Sequence, residues 1–357
     1  MFPFNQLKQI HLEITNNCQA SCPMCSRNHH GGVDNPLINV NNWTLEHFKN
    51  VINKEVLTQV DALYFCGNFG DPLLNNDLLE MCRYASTTNP TVQIRIHTNG
   101  SLRSGSWWKQ LAQVLPADHV VVFAIDGLND THSIYRIGTD FNKIIDNAYD
   151  FIQAGGKAEW AFIRFKHNAH QVEAAKQLAM EVGFRSFVMK DSSRFVMESK
   201  FPVLDKTGAV TTFLEPADES KIVFIKKSDI DNYKAMVDAS TIDCYALNNR
   251  EIYIDAFGKL FPCCWLASTP YNYTEPSSPI SAVRNEIQEQ YNMLVADLGT
   301  IDTSIKSIKD IIDSVEFQTV WTKYWNDVKL ITCARTCGIN KLSKPIDQFA
   351  DRETLDG

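Results

Sequence analysis

The sequence predicts an α/β protein built on a partial barrel of parallel strands, and three features carry that reading. Apolar, β-branched runs alternate with helix-spaced stretches through about six units in the first half of the chain. That pattern calls for parallel strands joined by crossover helices. Four successive runs lead into polar loops, three of them glycine-bearing turns, at the strand ends where α/β barrels assemble their sites. The loop after the first run holds three cysteines, Cys18, Cys22 and Cys25, in a C-x₃-C-x₂-C arrangement.

Strands are expected at 10–15, 62–66, 92–97, 120–125, 158–165 and 186–189, and helices at 45–56, 78–85, 106–115, 144–154 and 172–182. An open doubly wound sheet shares this alternation, but the turns favour a barrel. Gly67-Asn68-Phe69-Gly70-Asp71-Pro72 follows the second strand, Thr98-Asn99-Gly100 the third and Asp126-Gly127 the fourth. Any one such loop is ordinary turn chemistry; a succession beside clustered cysteines is harder to dismiss. By alternation, Arg95, Trp160, Arg164 and Lys166 are candidates to line the interior. Beyond about Lys190 the alternation stops. Residues 191–243 read as an irregular connection with a helix near 229–239. Cysteines then return between Cys244 and Cys337, among a Pro/Ser/Tyr-rich loop at 268–279 and helices at 282–298 and 305–325. The expected organisation is a barrel over 1–190, a connection over 191–243, a second cysteine-bearing unit over 244–340 and a polar tail over 341–357.

A chain of 357 residues with 44% hydrophobic content can bury a large core. Its net charge of -8 argues against general affinity for nucleic acid or an anionic membrane. MFPFNQLKQ has no signal-peptide pattern, and the longest apolar stretch, HVVVFAI, is too short to span a bilayer. Ten cysteines without an export signal point to a reducing compartment, so a cytoplasmic location is expected.

Three thiolates on one short loop can hold three irons of a 4Fe–4S cube and leave the fourth iron open to a small molecule. A structural zinc site usually takes four ligands in paired knuckles, and buried cysteines also cluster by chance. The odd number favours the cluster. His29 and His30, beside Gly31-Gly32, read as a mouth-lining pair or a solvated turn. Cys66 and Cys82 read as core residues.

On these residues the chain resembles the radical SAM superfamily, whose signature is C-x₃-C-x₂-C after the first strand of a partial (β/α)₆ TIM-like barrel. Cys18, Cys22 and Cys25 match it, with Met24 where relatives often carry an aromatic residue near the adenine. Gly70-Asp71-Pro72 is similar to the family's motif for the methionine amino group, with Asp71 in place of the commoner Glu. Thr98-Asn99-Gly100 and Ala124-Ile125-Asp126-Gly127 are similar to the turns after strands three and four. His132 and Arg136 fall where relatives place a histidine and an arginine. The resemblance implies that Met24, Gly70, Asp71, Pro72, Thr98, Asn99, Asp126 and Arg136 surround SAM, with Arg136 a candidate clamp for its carboxylate.

Thirteen residues separate Cys244 from Gly258 and four separate Gly258 from Cys263, which resembles the C-x₉₋₁₅-G-x₄-C signature of SPASM and twitch auxiliary domains. The cysteines are too few for two auxiliary clusters. The resemblance therefore implies a twitch-like domain with one auxiliary 4Fe–4S cluster on Cys244, Cys263, Cys333 and Cys337, leaving Cys264 a buried non-ligand.

The resemblance implies an oxidoreductase that cleaves SAM reductively, forms a 5′-deoxyadenosyl radical and abstracts hydrogen from a small molecule or peptide. An external donor such as flavodoxin or ferredoxin would supply the electron. The first strand opens within about ten residues of Met1, which argues against an appended leader-binding module. The rival readings are a non-catalytic iron–sulfur or zinc electron carrier or scaffold, and a radical SAM transferase or mutase with a structural auxiliary cluster.

Overall fold

The computed structural model describes residues 1–192, 194–195, 199–221, 232–272, 281–339 and 351–355. Strands β1 (Gln9–Leu12), β2 (Ala62–Phe65), β3 (Gln93–Thr98), β4 (His119–Ala124), β5 (Ala158–Arg164) and β6 (Ser186–Asp191) pair in sequence order, each parallel to the next. This is the α/β order of a (β/α) barrel that stays open, because β6 does not pair back onto β1. The free edge of β1 instead takes β9 (Glu251–Ile254) in parallel, and β10 (Leu260–Phe261) joins β9 antiparallel. The far edge of β6 takes β11 (Asp351–Thr354), which completes a nine-stranded sheet. Strands β7 (Phe201–Leu204) and β8 (Val210–Leu214) form a separate antiparallel hairpin.

The two faces of the sheet differ sharply, as period-2 alternation requires. One face presents Ile10, Leu12, Leu63, Phe65, Ile94, Ile96, Val121, Phe123, Trp160 and Phe162, all inaccessible to solvent. It packs against helices α1 (Leu45–Val51), α2 (Lys54–Gln59), α3 (Leu78–Thr88), α4 (Gly105–Val114), α6 (Phe141–Gln153) and α7 (Val172–Val182), while α5 (His132–Tyr135) packs through Tyr135 with the cysteine loop instead. The other face is polar. His11 sits between Tyr64 (ring centroids 4.5 Å) and Tyr253 (4.8 Å), and Tyr64 meets His97 at 4.8 Å.

That alternation corrects two of the expected interior residues. Trp160 lies on the helix-facing side between Phe184 and Phe187, its indole N–H bonded to the Ile125 carbonyl at 2.8 Å. Arg164 shares that parity and forks onto Asp191 at the strand end, with two contacts of 2.8 Å. Lys166 lies past β5 and pairs on the surface with Glu215. Arg95 does face inward, 3.7 Å from Glu159.

Two expected helices divide where a side chain caps a new start. The stretch 45–56 breaks at Ile52–Asn53, where Asn53 accepts from the Val56 N–H at 3.1 Å and opens α2. The stretch 305–325 becomes two helices and a five-residue π-turn, with Ser307 and Ser314 capping the two helices. The remaining helices are α8 (Tyr233–Ala239), α9 (Tyr245–Asn249), α10 (Cys264–Ala267), α11 (Ser281–Leu298), α12 (Ile308–Ile312), α13 (Val315–Thr322) and α14 (Ile331–Cys337). Residues 273–279 of the Pro/Ser/Tyr-rich loop and residues 341–350 and 356–357 of the polar tail lie outside the described residues. The apolar core runs without interruption from the barrel helices to Leu294, Phe317 and Trp321. The 244–340 region is therefore continuous with the barrel in both sheet and core.

Trp160→Ala is expected to destabilise the protein by about 3–5 kcal/mol in urea unfolding, the range for emptying a large aromatic site in a packed core. An inward-facing residue at that position would tolerate the change far better.

Candidate active site

The loop after β1 brings Cys18, Cys22 and Cys25 into an apolar enclosure. The Cys25 N–H donates to the Cys22 carbonyl at 2.9 Å, which makes a tight turn, and the Asn28 amide donates to the same carbonyl at 3.2 Å. Around the thiols pack Ala20, Met24, Tyr135, Phe165, Phe195, Val203 and Leu214. The β7–β8 hairpin, part of the expected irregular connection, thus covers this loop. His30 stacks on Phe201 of the hairpin (centroids 4.4 Å) and on His29 (4.6 Å), so the histidine pair belongs to the cover. Burial raises the Cys18 and Cys22 thiols above their ordinary range. Asp71 adds to the rise at Cys18, and the Arg136 charge opposes it at Cys22. Both sulfurs face N–H donors, with the Asn99 amide 3.9 Å from Cys18 and the Arg136 guanidinium 3.8 Å from Cys22.

The second loop passes close under the first. A Cβ on Gly70 would lie 1.9 Å from the Thr15 carbonyl oxygen, so only glycine fits there. Asp71 follows, buried, its N–H bonded to the Asn17 carbonyl at 2.8 Å. Its carboxylate caps the short turn Pro72–Leu74 by accepting from Leu73 at 3.0 Å. It also accepts from the Thr98 hydroxyl at 2.8 Å, the Asn99 backbone at 2.7 Å and the Asn99 amide at 2.6 Å. Burial raises this carboxyl's pKa, and those donors work against the rise. Asp71, Thr98 and Asn99 therefore form one unit.

Asp126 is fully buried after β4 and pairs with Arg136 at 2.5 Å. Its other oxygen accepts from the Ile163 N–H at 2.5 Å. Arg136 spans Asp126 and the Cys22 sulfur while lying over the Tyr135 ring at 5.3 Å. His132 is held nearby, its Nδ1 accepting from the Asp126 N–H at 3.3 Å, and burial lowers its pKa to about 4. Met24 is buried, and its sulfur accepts from the Ser192 hydroxyl at 3.4 Å.

A second site lies beyond β10. Cys244, Cys263, Cys333 and Cys337 all line one small recess, together with Trp265, Trp321 and Trp325. Cys244 precedes α9, Cys263 follows β10, and Cys333 and Cys337 lie one turn apart on α14. An antiparallel bridge between Ile242 and Gly338 joins two of these segments. Burial pushes the Cys244 thiol up to about 11 and raises Cys263 and Cys333 as well. The buried Trp325 indole N–H faces the Cys333 sulfur, and its donation there opposes the rise that burial imposes on that thiol. Cys264 is absent from this lining; its electrostatic neighbours include Glu251 and Cys66. Among the described residues, no three His, Cys, Asp or Glu side chains converge on a single metal-ion position.

Sequence reasoning missed the hairpin cover and the buried acid Glu13, which accepts from Phe69, Gly70 and Tyr253. The alternation Gln9, His11, Glu13 within β1 and just past it was the available signal.

The protein is thus of one class: a parallel α/β sheet, open as a partial barrel, with three cysteines on the loop after its first strand. The family model for the Radical SAM superfamily matches residues 12–181, a span that runs from the end of β1 into α7 and takes in the three-cysteine loop. A tungsten-containing aldehyde ferredoxin oxidoreductase cofactor-modifying protein of Pyrococcus furiosus is 27% identical over 136 residues. That match takes in 37% of this chain and 34% of the relative, so the chain spans about a third of that protein's length. A structure of anSMEcpe with bound AdoMet and the Kp18Cys peptide superposes with a TM-score of 0.52 at 13% identity, covering 95% of this chain and 91% of that one. Streptococcus suis SuiB gives a TM-score of 0.49 at 14% identity, over 80% of this chain and 65% of SuiB. No helix among the described residues is long and apolar enough to cross a membrane.

Burial raises Glu251 to about 7, with the Gln9 amide opposing the rise. The folded state holds this proton more tightly than the unfolded chain does. The associated stability is therefore fully present below the ordinary glutamate range and is lost as pH rises through about 7. Glu251→Gln should gain roughly 1–3 kcal/mol relative to the parent between pH 5 and 7.5, read from urea midpoints. A pH-independent difference would refute this assignment.

Proposed function

We propose that this chain is a radical SAM oxidoreductase that abstracts hydrogen from a small molecule or peptide. In this reading Cys18, Cys22 and Cys25 hold a 4Fe–4S cluster with an open iron, and SAM binds over the ends of β1–β4. The observation that carries it is the three-cysteine loop itself, sealed in apolar side chains with N–H groups of Asn99 and Arg136 aimed at two of its sulfurs. Such donors and such dryness suit a cluster's sulfurs. When bound, cluster and SAM supply one-electron cleavage to methionine and a 5′-deoxyadenosyl radical.

The chain's own residues bind, orient and exclude water. Gly70 lets the second loop approach the cysteine loop closely, and Pro72 starts the turn that Asp71 caps. Because Leu73, Thr98 and Asn99 fill the Asp71 carboxylate, Asp71 acts by ordering the loop, and holding an ammonium falls to backbone carbonyls. Met24 offers an apolar surface for the adenine. The Asp126–Arg136 pair presents a fixed cation beside Cys22, where a SAM carboxylate can share it. The hairpin 201–214 keeps water from the radical.

The 244–340 region serves as a twitch-like auxiliary domain in this reading. Four cysteines lining one recess, with a buried indole N–H beside Cys333, suit in donor type and number a second 4Fe–4S cluster that accepts an electron from substrate or anchors it. Residues 191–243 connect the two parts; the expected polar tail is not all tail, because Asp351–Thr354 joins the sheet as β11, hydrogen-bonded along β6. An external flavodoxin- or ferredoxin-type donor supplies the electron, in the cytoplasm.

Anaerobic reconstitution tests the reading. Roughly eight irons per chain and reductive release of 5′-deoxyadenosine are expected, since each cube holds four irons. Replacing Cys18, Cys22 and Cys25 with Ala should abolish cleavage and leave about half the iron. Zinc at these cysteines, or no cleavage under strong reductant, would refute it and favour a carrier or scaffold.

A further inference from the structure

We infer that Glu13 is a positioning residue that clamps the Gly67–Asp71 loop to the β9–β10 hairpin, so that filling the four-cysteine recess tightens SAM binding at the barrel mouth. This rests on the functional reading above.

Glu13 lies just past β1, 2% exposed, and each of its oxygens faces a different partner. One accepts the backbone N–H groups of Phe69 at 2.8 Å and Gly70 at 3.1 Å. The other accepts the Tyr253 hydroxyl at 2.5 Å. Tyr253 belongs to β9, inside the segment that runs from Cys244 to Cys263. The carboxyl thus joins the loop proposed to hold SAM to the hairpin whose ends carry two recess cysteines.

Two further contacts cross the same gap. The Asn68 amide donates to the Cys264 carbonyl at 2.9 Å, one residue from Cys263. The Phe69 ring meets Tyr271, just beyond α10, edge-on at 5.1 Å. Close packing leaves little slack, since a Cβ on Gly67 would lie 2.7 Å from the Glu13 carboxylate. A short polar link in a dry interior holds one arrangement and is costly to break. Fixing Cys263 and its neighbours in the recess therefore fixes Asn68, Phe69 and Gly70, and by linkage SAM binding stabilises the recess equally.

The test uses the full chain, reconstituted anaerobically, and reads SAM dissociation constants by equilibrium dialysis in a double-mutant cycle. Emptying the recess with Cys333→Ala/Cys337→Ala is expected to weaken SAM binding about tenfold, within the usual range of coupling between sites. Glu13→Ala should weaken it at least as much, and the combination should bind no worse than Glu13→Ala alone. Glu13→Gln keeps an oxygen for the Phe69 and Gly70 N–H groups and should recover binding to within about threefold of the parent. Tyr253→Phe keeps the ring and cuts only the Glu13 link, leaving the Asn68 and Phe69 contacts, so emptying the recess should cost it distinctly less SAM affinity than it costs the parent. This variant carries the test if Glu13→Ala does not fold, and an undiminished cost would overturn the clamp. Equal losses in both Glu13 backgrounds, or parental affinity in Glu13→Ala, would overturn the clamp alone. A parent that binds no SAM would overturn the functional reading and the clamp with it.

Discussion

The top of the sheet depends on one buried carboxylate. Asp71 gathers the Leu73 N–H, the Thr98 hydroxyl and both Asn99 donors, while its own N–H reaches back to Asn17. Loops after three successive strands are thereby locked at one point. Burial alone would neutralise this acid, and the convergent donors are what make its place tolerable. Asn99 then extends the arrangement to the Cys18 sulfur. The position of the cysteine loop thus follows from hydrogen bonding on one side and from the apolar cover on the other.

The two cysteine sites illustrate different ways of keeping thiols dry. The first loop is roofed by aliphatic and aromatic groups from the β7–β8 hairpin and from Phe165 and Phe195. The recess at Cys244 and Cys337 is walled by tryptophans and by the helix that supplies two of its own sulfurs. Between them runs the inward face of the sheet, with its band of Tyr253, His11, Tyr64 and His97. Burial holds His11 neutral, its pKa lowered to about 4.

Much of this could be read in advance because it is local. The six barrel strands were visible as β-branched runs, and their turns as Gly, Asn and Asp at strand ends. The spacing of Cys18, Cys22 and Cys25 drew attention to one group, which the structure gathers on the loop after β1, and the spacing of Cys244, Gly258 and Cys263 drew attention to the second. The parts that escaped depend on contacts distant in sequence. Nothing near Tyr253 marks it as the partner of Glu13, 240 residues away. The Phe201–Leu214 hairpin carries no motif; it becomes part of the site only because it folds over the cysteine loop. Trp160 and Arg164 were misplaced because their runs were long enough to admit either parity, and only packing against Phe184 and Phe187 decides which face a tryptophan takes.

The pairing of β9 with β1 also has a bearing on the borders of the barrel sheet. A barrel left open exposes two rows of backbone donors and acceptors, each able to recruit a strand from another molecule. Here β9 covers one row and β11, which runs antiparallel to β6, covers the other. Both guards come from the C-terminal part of the chain. The 244–340 region thus guards the β1 border through β9, and the last residues of the chain guard the β6 border through β11. A chain with this topology cannot lose either segment without gaining a sticky flank.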